Sequence, residues 1–138
     1  MLGVQWLHEQ GIVHLDIKAE NVMVDGVGDD QKAKIVDFGF SRLEQDLDEP
    51  IDHVQGTPQM LSPERLEPPF ERGRGKPADV WACGVLLYDM LTGKWPFGND
   101  EQKIKSSLPN FSVFRRKGTE EEEKIITGML HKDPKQRW

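Results

Sequence analysis

The sequence has a single cysteine, Cys83, among 138 residues. That excludes an internal disulfide framework and fits a reducing compartment. Basic residues are also in short supply, with 18 Lys and Arg against 24 Asp and Glu, a net charge of -6 and a pI of about 5.2. Nucleic acids and anionic membranes reward basic patches, so neither is expected as a partner. The longest uncharged apolar run, VWACGVLLY (80–88), is too short to span a bilayer. The opening MLGVQWLHEQG has neither a basic n-region nor a sustained apolar stretch, so no secretory signal is expected. With no targeting or membrane segment in view, the expected location is cytoplasmic or nuclear.

Several chemistries are missing as well. No G-x-x-x-x-G-K-[ST] phosphate loop and no G-x-S-x-G nucleophile elbow occurs. Gly26 and Gly28 begin a G-x-G, but Gln31 stands at the third glycine position. Gly73, Gly75 and Ala78 match G-x-G-x-x-A, yet a proline-rich loop precedes them instead of a strand. His8, His14, His53 and His131 are scattered, and one cysteine cannot complete a zinc site. No internal repeat or low-complexity tract is visible.

What remains is a soluble, globular composition, 36% hydrophobic and 30% charged, of a length that suits one domain. The first eleven residues read as the second half of an amphipathic helix with Leu2, Trp6 and Leu7 on one side, ended by Gly11. IVH (12–14) is a short β-type run, and NVMVD (21–25) and AKIVDF (33–38) are two strands joined by the polar hairpin turn DGVGDDQK. Residues 40–56, with Glu44, Asp46, Asp48, Glu49 and Asp52, read as a long exposed loop. A proline-punctuated stretch (56–70) and a second loop, ERGRGKP, precede ADVWACGVLLYDMLTG (78–93), which is apolar almost all round and therefore a buried central helix. After WPF (95–97) comes a polar helix around EQKIKSSL. A last helix starts at Thr119, whose capping box with Glu122 opens it, and runs to about His131. The expected fold is mainly α with a small β hairpin.

The densest cluster of chemistry is HLDIKAEN (14–21), polar groups interleaved with Leu15, Ile17 and Ala19. That pattern reads as polar side chains projecting from a short anchored loop. Hairpin pairing should bring Asn21, at the start of one strand, beside Asp37, at the end of the other. A carboxylate and a carboxamide suit hard Mg²⁺, which keeps several waters and takes further ligands from substrate phosphates. Lys18 offers a point charge to a phosphate oxygen, and Asp16 is free to accept a hydroxyl proton. The set describes a phosphoryl-transfer site. The bland alternative is a turn with surface acids.

At these residues the chain resembles the eukaryotic protein kinase family, serine/threonine branch. HLDIKAEN is similar to the catalytic loop H-R-D-x-K-x-x-N, and DFG (37–39) is intact. SPE (62–64) stands for A-P-E, preceded by GTPQM, which resembles a substrate-docking loop. DVWACGVLLYDMLTGKWPF resembles the family's core helix, and DPKQR (133–137) its closing arginine segment. Six motifs in series and in order weigh against the bland alternative.

The resemblance implies Asp16 as catalytic base, Lys18 as the γ-phosphate contact, Asn21 and Asp37 as Mg²⁺ ligands, and ATP as the nucleotide. Thr57 would hydrogen-bond near Asp16 and Lys18, and Asp79 would hold the catalytic-loop backbone. His14, Phe38 and Gly39 would be structural, with His14 and Phe38 stacked in a hydrophobic spine. Glu64 would pair with Arg137. Glu20 and Asp89 would favour protein substrates with basic residues upstream of the target hydroxyl.

Two departures qualify the match. The glycine-rich loop, strand lysine and partner glutamate of the family's small lobe do not occur. Residues 1–138 are therefore expected to be a partial catalytic domain, the large lobe only, from the family's helix E to the segment after helix H. Such a chain would be a fragment, a truncated gene model or one half of a split kinase, needing an N-terminal lobe. The second departure is Leu15, where arginine is common and receives an activation-loop phosphate. From Arg42 to Gly56 there is correspondingly no Ser, Thr or Tyr. Ala19 in place of a frequent proline is a minor change. Two functions stay open: a serine/threonine kinase catalytic lobe, or a non-catalytic kinase-like binding and scaffold module. Small-molecule kinases of the same fold are a third, disfavoured by GTPQMLSPE.

Overall fold

The computed structural model describes residues 2–47, 54–68, 75–113 and 120–138. Thr119 of the expected capping box, Asp48, Glu49 and Asp52 of the acidic stretch, and most of ERGRGKP lie outside them. The described residues are mainly helical with two small sheets, and none of their helices is long and apolar enough to cross a membrane.

Helix α1 (Leu2–Glu9) leads into β1 (Ile12–Val13) through Gly11, whose φ of 71° is a conformation that costs glycine little. Its buried face is Val4 and Leu7, while Leu2 and Trp6 are 84% and 58% exposed. This corrects the Leu2–Trp6–Leu7 face. The helix turns its Gly3–Val4 side inward because Gly3 lets Ile35 come close: a Cβ there would sit 3.2 Å from Ile35 Cδ1.

Strands β2 (Val22–Asp25) and β3 (Lys32–Ile35) form the expected antiparallel hairpin, with Val22 opposite Ile35 and Asp25 opposite Lys32. The second strand is shorter than AKIVDF suggests, because the backbone turns left-handed at Asp37 (φ 62°). The acidic stretch is not wholly a loop. Its start, β4 (Arg42–Leu43), pairs antiparallel with β1, and a 3-10 turn follows over Glu44–Asp46.

Helix α2 (Lys76–Thr92) is the axis of the molecule. Pro77 suits its first turn, and Gly93 stops it with φ 69° and an N–H donated to the Asp89 carbonyl at 2.7 Å. Trp81, Ala82, Val85 and Tyr88 join Ile17, Met60, Phe97, Ile104, Ile126 and Leu130 in the main core. Gly84 gives α4 (Glu120–Met129) room to pack, since a Cβ there would lie 2.9 Å from Met129 and Leu130. The apolar residues on the other flank of α2, Cys83, Leu86, Leu87 and Met90, line a cavity of about 430 Å³ beneath Val22 and Ile35. Met90 is 71% exposed, so the all-round apolarity of this helix does not mean burial all round. Between them, α3 (Glu101–Ser106) is capped by Asp100, whose carboxylate accepts from the N–H groups of Gln102 and Lys103.

Candidate active site

The loop between β1 and β2 is held from below by one carboxylate. Asp79, 1% exposed on the first turns of α2, accepts the His14 N–H at 2.8 Å and the Leu15 N–H at 2.7 Å. His8 Nε2 donates to the same side chain at 2.9 Å. Three donors offset the cost of burying the charge. The grip also fixes an unusual backbone: Leu15 has φ 68°, a left-handed conformation that a branched side chain rarely adopts. His14 is fully buried, with Nδ1 accepting from the Asp16 N–H at 3.3 Å. Its Nε2 therefore carries the proton and donates to the Val36 carbonyl at 3.2 Å, joining the loop to the end of β3.

Asp16 sits at the centre. Its Oδ1 accepts from the Thr57 hydroxyl at 3.0 Å, and its Oδ2 from Lys18 Nζ at 2.8 Å and Asn21 Nδ2 at 3.0 Å. Lys18 also donates to Thr57 Oγ1 at 3.1 Å, closing a three-membered ring. Burial raises the Asp16 pKa, but the hydrogen bonds from Lys18, Thr57 and Asn21, with the Lys18 charge, outweigh it and hold the carboxyl below its usual range. The Asp16 hydrogen bond in turn raises the Lys18 pKa against burial. Both groups are thus charged at neutral pH. Asp16 and Asn21 are buried, not projecting as the alternation in HLDIKAEN suggests; Glu20 is the exposed acid of the loop.

The hairpin brings Asn21 and Asp37 to one end of the sheet, through a Val36 N–H to Asn21 carbonyl bond of 2.9 Å. Asn21 Nδ2 also donates to the Asp16 carbonyl at 2.9 Å, so both its protons point to Asp16 and its oxygen is turned elsewhere. Asp37 is exposed, with Oδ1 accepting from the Gly39 N–H at 3.1 Å. Among the described residues no three His, Cys, Asp or Glu gather to hold a metal unaided. One carboxylate and one carboxamide fit Mg²⁺, which completes its shell with water and phosphate oxygens. Phe38 meets the His14 ring edge-on at 5.1 Å and 63° but is 48% exposed, so it covers the histidine without being enclosed.

On the far side, Arg137 donates to both oxygens of Glu64, at 2.6 and 3.0 Å. In the same turn Ser62 is fully buried, and its hydroxyl has no hydrogen-bond partner among the described residues. Ser62→Ala removes that unsatisfied group with little change of shape, so it should stabilise the protein by about 1 kcal/mol. Urea unfolding measures this, and a loss of stability above about 0.5 kcal/mol would contradict it.

The sequence pattern of the protein kinase domain matches residues 1–138, the whole chain. The chain belongs to the protein kinase family. Among curated relatives, it is 34% identical over 139 residues to Developmentally-regulated protein kinase 1 of Dictyostelium discoideum, covering 99% of this chain and 19% of that one. It is 34% identical to the RAC serine/threonine-protein kinase of Drosophila melanogaster, covering 96% and 21%. To the serine/threonine-protein kinase AtPK1/AtPK6 of Arabidopsis thaliana it is 37% identical, covering 98% and 28%. The chain thus spans about a fifth to just over a quarter of the length of these kinases.

Two further residues brace this loop without a motif to mark them, His8 through Asp79 and Arg65 through the Leu15 and Gln55 carbonyls. His8 shares a helix face with Val4, one turn away, and that spacing was the available signal for a partner below α1. Arg65 is only 6% exposed and gave no local signal, since the groups it meets lie up to 50 residues away.

Proposed function

We propose that this chain is the large-lobe portion, residues 1–138, of a serine/threonine protein kinase that moves the ATP γ-phosphate to protein hydroxyls. The observation that carries the reading is the Asp16–Lys18–Thr57 ring on a loop clamped by Asp79. Asp16, ionised and fixed, accepts the proton of the substrate hydroxyl. Lys18, paired with Asp16 and Thr57, would offer its ammonium to the γ-phosphate when ATP is bound. Asn21 and Asp37 offer the two hard oxygens that would hold Mg²⁺, and the ion, when bound with ATP, neutralises phosphate charge. Thr57 ties the docking segment to Asp16. A non-catalytic scaffold has no need of all four of Asp16, Lys18, Asn21 and Asp37, so the catalytic reading is preferred.

The test is a peptide-library phosphorylation assay on the full-length protein with Mg²⁺ and ATP. Serine and threonine peptides should be labelled, with preference for arginine upstream of the target, and Glu20→Ala with Asp89→Ala should weaken that preference. An absence of labelling would overturn the reading. Phosphatase treatment should leave the activity within about twofold, because Leu15 offers no cation and residues 42–56 carry no acceptor hydroxyl. A large loss traced to a site in that stretch would refute this independence.

A further inference from the structure

Asp16 and Thr57 come from segments 41 residues apart, yet their side chains stand 3.0 Å from each other. The side-chain bonds of the ring hold the tips. Something must also hold the two backbones, because Leu15 is in a left-handed conformation and Gly56 has φ 101°. Asp79 secures only the N–H side of Leu15.

The carbonyl side belongs to Arg65. Its Nη1 donates to the Leu15 carbonyl at 2.9 Å, and its Nη2 to the Gln55 carbonyl at 2.6 Å. The first carbonyl is part of the peptide that enters Asp16, and the second of the peptide that enters Gly56, one residue before Thr57. One planar cation therefore bridges the backbones leading to both members of the ring. The close approach depends on Gly56, where a Cβ would lie 3.2 Å from the Leu15 oxygen and 3.4 Å from Arg65 Nη2. The base of Arg65 is itself secured. Its N–H donates to the Ser62 carbonyl at 3.0 Å, and the preceding Glu64 is held by Arg137. Leu15, buried against Val13 and Ala78, cannot supply a cation at this junction.

Building on the kinase reading above, we infer that Arg65 is a positioning residue, which holds Asp16 and Thr57 in working register by bridging the Leu15 and Gln55 carbonyls. The guanidinium suits the task because its fork presents several fixed donors at once and stays charged when buried. A lysine at the same position has one ammonium and can serve the two carbonyls only with poorer geometry. The guanidinium acts on backbone carbonyls, those of Leu15 and Gln55, so its loss should act on the rate of the chemical step and not on the affinities.

The experiment compares the full-length wild type with Arg65→Met and Arg65→Lys. Turnover is normalised to Mg²⁺–ADP binding sites counted by titration, which removes any unfolded fraction from the rate. For Arg65→Met, kcat per site should fall at least tenfold, with KM for ATP and for peptide each within threefold. Arg65→Lys should recover part of that loss. A kcat per site within twofold of wild type in Arg65→Met, whatever its thermal stability, would overturn the inference and leave Arg65 a stabilising residue only. If Arg65→Met binds no nucleotide, Arg65→Lys carries the test, with an expected fall in kcat per site of threefold or more. Failure of both variants to bind nucleotide would also overturn the inference. Absence of phosphotransfer in the wild type is a separate failure, of the kinase reading itself.

Discussion

Asp16→Asn in the full-length protein should lower phosphotransfer by a hundredfold or more while leaving nucleotide affinity within a few fold. Asparagine has nearly the same shape and can still accept from Thr57. It cannot take up a proton, and it loses the charge that faces Lys18. General-base contributions of about 10²–10⁴ correspond to roughly 3–5 kcal/mol of barrier. Asp37→Ala is expected to differ in kind. Asp37 takes no part in the Asp16–Lys18–Thr57 ring, and its exposed carboxylate is half of the proposed oxygen donor set. Its loss should abolish Mg²⁺-dependent nucleotide use and weaken nucleotide binding itself. Rates at saturating ATP, together with a nucleotide titration, separate the two variants. An Asp16→Asn protein within threefold of wild-type turnover would remove Asp16 from the role of base.

Much of this site was legible because its chemistry is local. Asp16, Lys18 and Asn21 lie within six residues, and hairpin pairing alone places Asn21 near Asp37. The buried helix, its glycine stop and the short polar helix after it also follow from patterns within one window. What stayed illegible depends on contacts across the fold. The alternation in HLDIKAEN cannot reveal that Asp16 and Asn21 are buried, since their burial is made tolerable by partners at Thr57, on another segment, and by each other. A two-residue strand such as β4 carries no alternation to detect; only its pairing with β1 defines it. In α1 the apolar residues are compatible with more than one face. The choice is made by Ile35 packing against Gly3 and by Asp79 reaching His8. Arg65 is the extreme case, because nothing near it in sequence distinguishes it from a surface arginine.

Breaking the Glu64–Arg137 pair should produce the largest loss of stability. The Arg137 side chain is fully buried and Glu64 is 18% exposed, so neither charge is well solvated when left alone. Besides both Glu64 oxygens, the guanidinium serves the carbonyls of Pro77 at 2.8 Å and His131 at 3.0 Å. It also lies 5.1 Å from the centre of the Trp81 ring. Arg137 thus ties the SPE turn, the start of α2 and the segment after α4 into one unit. Arg137→Met preserves much of the apolar stem but leaves a carboxylate and these carbonyls without their donor, at a cost of about 3–5 kcal/mol. Glu64→Gln is milder, because the amide oxygen still accepts one bond, and about 1–3 kcal/mol is expected. The double variant should cost less than the two single changes together, since the second replacement removes a partner already unpaired. Urea unfolding of the four proteins, read as midpoints at constant slope, measures the coupling. Strict additivity, or a loss under about 1 kcal/mol for Arg137→Met, would show that this pair does not hold these three segments together.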